Sequence, residues 1–516
     1  MNLNRVLFPS KLRLDCVIGA AGLLLVAQCL CGTDLLLAEL LFLFICLAGF
    51  AVNLFGGLGT LPGFCVAVLA LKTVVISQIA KLVLGEPAQL RLERPVETAG
   101  VLVVGMAGIC VAALLSRARH IRRPMLVPDN RPEFLRCAAA LTFLLGSISV
   151  VGSTILGFGG EGSIRVGGLP GLLRQVAFSL GLSVVFSTAH VIVSSGGRRC
   201  LAWSNALPVL TLFAYGVLNA NKEALFDPFL FFILTVVAFD FSFRAIHGLA
   251  LVVIAVLSMC VFYPFAQMAR SVTRGYDLAD TIKETGSFIG KYSAGREGFG
   301  EFMDDYEDEE ERPVGVSYFA GSAGILERLS LIKPVDLLVS ATLNDGPSGW
   351  ETVLHGFKML TPRAINPRKP ANGSGNFLGH KAGYLSEEDD STQISFGFIA
   401  DAFSAFGWWG AGLIPLALTL MFSTVYQFLV GPLARNVWCA FLFCVFQHQF
   451  TEQSIGGLTL MTFQQPLLFG ALYLGLAVAN RFLPGASGLP ATTGRRWTLQ
   501  RFPRGCAASS ASAVLP

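Results

Sequence analysis

The sequence predicts an all-α polytopic membrane protein of about 12 transmembrane helices with one large, partly helical external loop. Three observations carry that class. Apolar residues make up 53% of the 516 residues and charged residues 14%, against ~25% charged in an average soluble domain. The apolar residues gather in runs close to the ~20 residues that a helix needs to cross a bilayer core. The basic residues of the short connections then fall on one side, as cytoplasmic loops require. The net charge of +4 is too small for nucleic-acid binding, so no nucleic-acid partner is expected.

The apolar runs lie at roughly 14–31, 35–55, 61–84, 98–115, 136–157, 171–194, 200–219, 224–241, 246–268, 404–430, 436–450 and 462–482. The basic N-terminus, with Arg5, Lys11 and Arg13, leads straight into the first run and reads as a spanning helix rather than a cleaved signal. Arg117, Arg119, Arg122, Arg123, Arg131 and Arg136 crowd the connection after the fourth run. Arg198 and Arg199 follow the sixth run, Arg244 the eighth and Arg435 the tenth. Arg481, Arg495, Arg496, Arg501 and Arg504 follow the last. Both termini are therefore expected in the cytoplasm. The eleventh run is short and is expected to be tilted, or broken at Gln447, His448 and Gln449. The expected organisation is helices 1–9 over 1–269, an external loop over 270–393, helices 10–12 over 394–484, and a disordered cytoplasmic tail over 485–516.

Twelve cysteines avoid the loop and show no CxxC pair or Cys/His metal spacing, so they read as small apolar fillers and no metal is expected. Lys72 and His190, inside spans, read as buried hydrogen-bonding groups.

The loop opens with a dense anionic block, "EGFGEFMDDYEDEEER" (297–312), which reads as a solvated face. A helical cap is expected over 320–361, lying on the membrane surface. "GILERLSLIKPVDLLVSATL" has apolar residues at helical spacing, interrupted at Pro334. In "SGWETVLHGFKML", Ser348 and Glu351 predict a capping box. Trp350, Val353, Leu354, Phe357 and Leu360 form one apolar stripe, with His355 and Lys358 on the other side. Next comes "TPRAINPRKP" (361–370), whose three prolines stiffen a strand carrying Arg363, Arg368 and Lys369. Two readings stand: an anion site, since guanidinium forks suit phosphate oxygens, or a basic lip on lipid headgroups. Arg165 and Arg174 at the outer end of run six, and Lys222 beside Glu223 on an outer turn, run against the charge bias. Trp408 and Trp409 open run ten as interfacial anchors, with Asp401 just before them at about the outer surface.

The pair "HGFKMLTPRAINPRKP" and "ISFGFIADAFSAFGWWGAGL" resembles the O-antigen polymerase (Wzy-type) family of oligosaccharide repeat-unit polymerases, which is related to O-antigen ligases. "LNANKEALFDPFLFF" is similar to the family's lysine-bearing outer turn, at Lys222, and "ILERLSLI" to its early loop arginine, at Arg328. The likeness covers about 200–430; Arg368 stands where the family pattern has an acid. The resemblance implies a GT-C-like membrane glycosyltransferase of the bacterial inner membrane, independent of metal and cofactor. It would polymerise polyprenyl-diphosphate-linked repeat units at the outer face, in O-antigen or exopolysaccharide synthesis. A chain-length regulator and a flippase are implied partners. Arg174, Lys222, Arg328, Arg363 and Lys369 would bind the diphosphate, and His355, His380, Asp390 and Asp401 are candidate bases. An O-antigen ligase and a glycan transporter are the alternatives. A mannosyltransferase-type enzyme would want paired acids in its first outer loop, where "GTDLLL" holds only Asp34.

Overall fold

The computed structural model describes residues 8–117, 124–157, 173, 176–218, 222–241, 253, 283, 318–319, 330–361, 374–386, 389 and 392–481. Among them the chain is all-helical, with no strand. The helices are α1 (Leu14–Leu30), α2 (Leu35–Leu54), α3 (Leu61–Val83), α4 (Pro95–Arg117), α5 (Pro132–Gly157), α6 (Ser179–Ser194), α7 (Trp203–Leu218) and α8 (Lys222–Ala238). After the loop's first part come α9 (Ile332–Asp345), α10 (Glu351–Leu360), α11 (Ser374–Lys381), α12 (Phe398–Leu429), α13 (Val437–Glu452), α14 (Ile455–Phe463) and α15 (Gln465–Arg481). Among the described residues six segments are long and apolar enough to cross a membrane: α2, α3, α4, Pro132–Gly152 of α5, α12, and α14 with α15. All of the ninth run but Val253, the anionic block, and most of "TPRAINPRKP" lie outside the described residues.

Local sequence explains where several helices start. Asp34 accepts from the Leu37 amide at 3.1 Å and caps α2. The lone acid of the connection between α1 and α2 is thus a helix cap. Pro62 sits in the first turn of α3, where its missing N–H costs nothing. Asn436 caps α13 through the Cys439 amide at 3.1 Å.

The core is apolar and aromatic. Phe231 stacks on Phe441 at 5.2 Å, and Tyr426 packs edge-on against Phe446 at 4.6 Å. Small residues let α4 and α12 approach: a Cβ on Gly108 would meet the Gly412 carbonyl at 2.3 Å.

Hydrogen bonds gather the connections into two opposite ends. At one end Met125 N binds Phe428 O (2.8 Å), Leu433 N binds Gly59 O (3.0 Å) and Arg435 N binds Ala238 O (2.9 Å). His190 Nδ1 joins Pro132 O there at 3.0 Å. At the other end Gln89 binds Gly32 O (2.9 Å), and the loop residues Tyr318, Asp336 and Ser348 bind Lys81 of α3, the start of α4 and Ser404 of α12. The connections of the first group are those that the basic residues assign to one side, and the connections of the second are those assigned to the other.

Four local expectations are corrected. The Ser348–Glu351 capping box does not form, because the Ser348 hydroxyl donates to Ser404 O at 2.9 Å instead, and α10 begins with no side-chain cap. Pro334 does not interrupt a helix; it lies in the first turn of α9, which the ring tolerates. Gln447, His448 and Gln449 do not break α13, which runs through them to Glu452. Asp401 is not ahead of the tenth helix at the surface. It is inside α12 and buried, because that helix starts at Phe398 and then kinks at Phe406 and Gly407.

Candidate functional site

The site is built around one corner. α13 ends at Glu452 and α14 begins at Ile455, within "TEQSIGG" (451–457). A carboxylate at a helix C-terminus opposes the helix dipole, so Glu452 needs compensating donors. It has three. Lys72 Nζ lies 2.5 Å from Oε1, His448 Nδ1 lies 3.0 Å from the same oxygen, and Ser395 Oγ reaches Oε2 at 3.4 Å. Lys72 is on a π-helical turn of α3, Leu71–Val75, whose extra residue per turn shifts the side-chain register.

The next residues of the corner bind the loop. Ser454 Oγ is hydrogen-bonded to Ser374 Oγ of α11. The Ile455 amide donates to Asp401 Oδ2 at 2.8 Å, so this carboxylate sits at the N-terminus of α14, the end that favours anions. Gly456 lies back to back with Gly356 of α10, where an added Cβ would meet backbone at 2.6 Å. Thr352, His355 and Gly356 share that inward face of α10, three and four residues apart. Asp401 is fully buried, and the Thr352 hydroxyl lies beside its carboxylate.

Lys381, the last residue of α11, points to the same place. Its Nζ donates to Ser404 Oγ (3.0 Å), Ser348 Oγ (3.2 Å), Gly346 O (3.4 Å) and Ser404 O (3.5 Å). Burial pushes its ammonium down from the usual lysine range, against the opposing charges of Asp345, Asp401 and Glu351. Ser404 and Asp401 are three residues apart on α12, so Lys381 and Asp401 address neighbouring points of one helical face.

A second polar cluster fastens the loop to the bundle. Asp336 of α9 accepts from Glu93 N (2.7 Å), Arg94 N (2.9 Å) and Thr98 Oγ1 (3.0 Å), capping α4 from another segment. Lys333 Nζ binds Arg91 O at 2.8 Å, and Arg91 reaches Phe319 O. Lys81 Nζ binds Glu86 and Tyr318 O, both at 2.6 Å, and lies 4.2 Å from the centre of the Tyr318 ring. These groups have their partners within the cluster, and it anchors rather than reacts.

Of the residues expected from the sequence, Asp401 reaches the corner, and His355 lies beside Gly356 on the helix packed against it. His380 instead holds its own loop, donating from Nε2 to Asp389 O at 3.1 Å. Arg174, Arg328, Arg363, Lys369 and Asp390 lie outside the described residues, and so does the side chain of Lys222. Sequence reasoning missed Lys381, Thr352, Ser404 and the Lys72–Glu452–His448 group. One signal was readable: "QHQFTEQ", six polar residues in seven, at the end of the otherwise apolar α13. Among the described residues no group of three or more His, Cys, Asp or Glu could hold a metal.

Comparison with protein-family models, with characterised proteins and with solved structures gives no match.

Proposed function

We propose that this chain is a membrane glycosyltransferase that polymerises polyprenyl-diphosphate-linked oligosaccharide repeat units at the outer face of a bacterial inner membrane. The observation that supports this most is the convergence of α10 and α11, two helices of the loop, on the corner where Asp401, Glu452, Lys72 and Lys381 meet. It sets acids and cations together at one end of an apolar bundle, beneath the loop. That is the equipment the transfer needs. The acceptor hydroxyl attacks the anomeric carbon of the donor sugar, the bond to the diphosphate breaks, and the diphosphate leaves with the electron pair. Cations stabilise that leaving group and a base takes the hydroxyl proton. In this reading Arg174, Lys222, Arg328, Arg363 and Lys369 bind the diphosphate, with Lys381 beside the corner as a further cation. His355, His380, Asp390 and Asp401 are the base candidates.

The test is Arg363→Ala and Arg328→Ala, each expressed in a host lacking the native gene, with surface glycan run on a gel. Loss of the polymer ladder, with single repeat units still capping the glycolipid, is the expected result. Loss of all capping points to ligation or lipid-linked export instead. An unaltered ladder in both variants removes the cation assignment.

A further inference from the structure

We propose that Lys72 is an anion-binding residue of this site. Glu452 holds its ammonium in the resting protein, and a substrate diphosphate takes the ammonium over. The choice of a diphosphate rests on the polymerase reading above. α3 is a 23-residue apolar span, and Lys72 stands near its middle. An ammonium at that depth faces protein or a wet cleft, and such residues mark substrate paths.

The backbone is shaped around this lysine. Lys72 lies in the π-turn Leu71–Val75, where the Ile76 amide bonds Leu71 O, five residues back. π-turns are rare and gather at functional sites. The external loop is fastened to the same stretch. The Leu331 amide donates to Lys72 O at 3.2 Å, and Ser330 Oγ lies 2.6 Å from Ser77 Oγ. Lys72 therefore sits where α3, the loop and the α13–α14 corner meet.

The two partners of the ion pair are not equally provided for. Glu452 has Lys72, His448 and Ser395. An ammonium carries three protons, yet among the described residues Lys72 Nζ has one partner, Glu452 Oε1 at 2.5 Å. Glu452 thus keeps two contacts when Lys72 turns to a ligand. The pair is also open to the cleft, with side chains 16% and 15% exposed. Lys81, on the same helix, is the contrast. Its side chain is 0% exposed, and Glu86, Leu90 O and Tyr318 O surround its Nζ. Lys81 is placed as a structural tie, and Lys72 is placed to meet a ligand.

Diphosphate oxygens accept strong, charge-assisted hydrogen bonds from an ammonium. As the bond to the anomeric carbon breaks, the leaving diphosphate takes the electron pair and gains charge, which Lys72 stabilises. Glu452 keeps the ammonium from standing unpaired when no substrate is present.

The experiment uses the full chain in lipid nanodiscs. It measures binding of labelled farnesyl diphosphate, with empty discs subtracted, beside thermal melting and chain growth on polyprenyl-diphosphate-linked repeat units. Lys72→Gln is expected to weaken binding ~10–100-fold. Glu452→Gln removes the resting partner and is expected to tighten it. The double variant, Lys72→Gln with Glu452→Gln, leaves no lone charge to disturb the fold and is expected to bind as weakly as Lys72→Gln. A purely structural pair gives another pattern: both single variants lose affinity together with melting temperature, and the double variant recovers both. That pattern overturns the proposal, and so does wild-type affinity in Lys72→Gln or a wild type that does not bind the probe. If the wild type binds the probe and Lys72→Gln does not, but no repeat units are added, the polymerase reading falls and the anion site stands. Chain growth in the wild type with unchanged affinity in Lys72→Gln removes the Lys72 assignment alone.

Discussion

At Asp336 burial and hydrogen bonding pull in opposite directions. Burial pushes its carboxyl up, while the Glu93 and Arg94 amides, Lys333 and Thr98 pull it back, and burial prevails. The folded protein therefore holds the Asp336 proton more tightly than the unfolded chain does. Its contribution to stability is largest below the ordinary aspartate value of ~3.9 and declines as pH rises through the folded value. Asp336→Asn, which does not titrate, removes that slope. Melting curves from acid to neutral pH should show the wild type losing ground to the variant as pH rises. Asp336→Ala leaves the part-buried Glu93 and Arg94 amides and the buried Thr98 hydroxyl without their acceptor and is expected to cost about 1–3 kcal/mol, read as a lower Tm at neutral pH.

At the scale of elements, two glycines explain how the loop meets the bundle. Gly407 has φ 60° and ψ −145°, a conformation open essentially to glycine. With Phe406 it interrupts the helical ladder of α12, and the Ser404 and Ala405 carbonyls accept from the Ser348 and Gly349 amides at 2.9 and 2.8 Å. The kink thus supplies the acceptors that dock the connection between α9 and α10. Gly407→Ala meets no atom within 4 Å, so its cost is backbone strain alone, about 1–3 kcal/mol. Gly356→Ala is different in kind. Its Cβ would meet Gly456 Cα at 2.6 Å, and backbone cannot swing aside. It should lift α10 from α14 and speed proteolysis between α9 and α11, while Gly407→Ala lowers Tm with a smaller change in cleavage. Equal cleavage of Gly356→Ala and wild type would contradict the close contact.

For the whole molecule the arrangement of ends is the testable statement. Residue 125 is bonded into the end that holds Phe428 and Leu433, and residue 340 lies on α9 at the other. Reporter fusions after these two positions should signal from opposite sides of the membrane. Signals from the same side would overturn the arrangement. α10 belongs to this scale as well. Its Trp350, Leu354 and Phe357 face outward while Thr352 and Gly356 face the bundle. The apolar stripe seen in the sequence is therefore the outer face, suited to the bilayer interface and not to the protein core.

By itself the sequence determined the helical class, the placement of the apolar runs and the grouping of their connections. These follow from hydropathy and charge, which act within short windows of chain. It also singled out Asp401, His355 and the polar run Gln447–Gln449. Only the tertiary structure decided what those residues meet. Lys72 and Glu452 are 380 positions apart, Asp336 caps α4 from 242 positions away, and Lys381 answers carbonyls and hydroxyls of two other segments. Local signals lost where a distant partner offered more. Ser348 left its capping box for Ser404, and α13 continued through three polar residues because Lys72 and Ser395 met the acid at its end. A buried polar group must find a partner wherever the fold brings one, and that partner's position is a property of packing, not of any stretch of sequence.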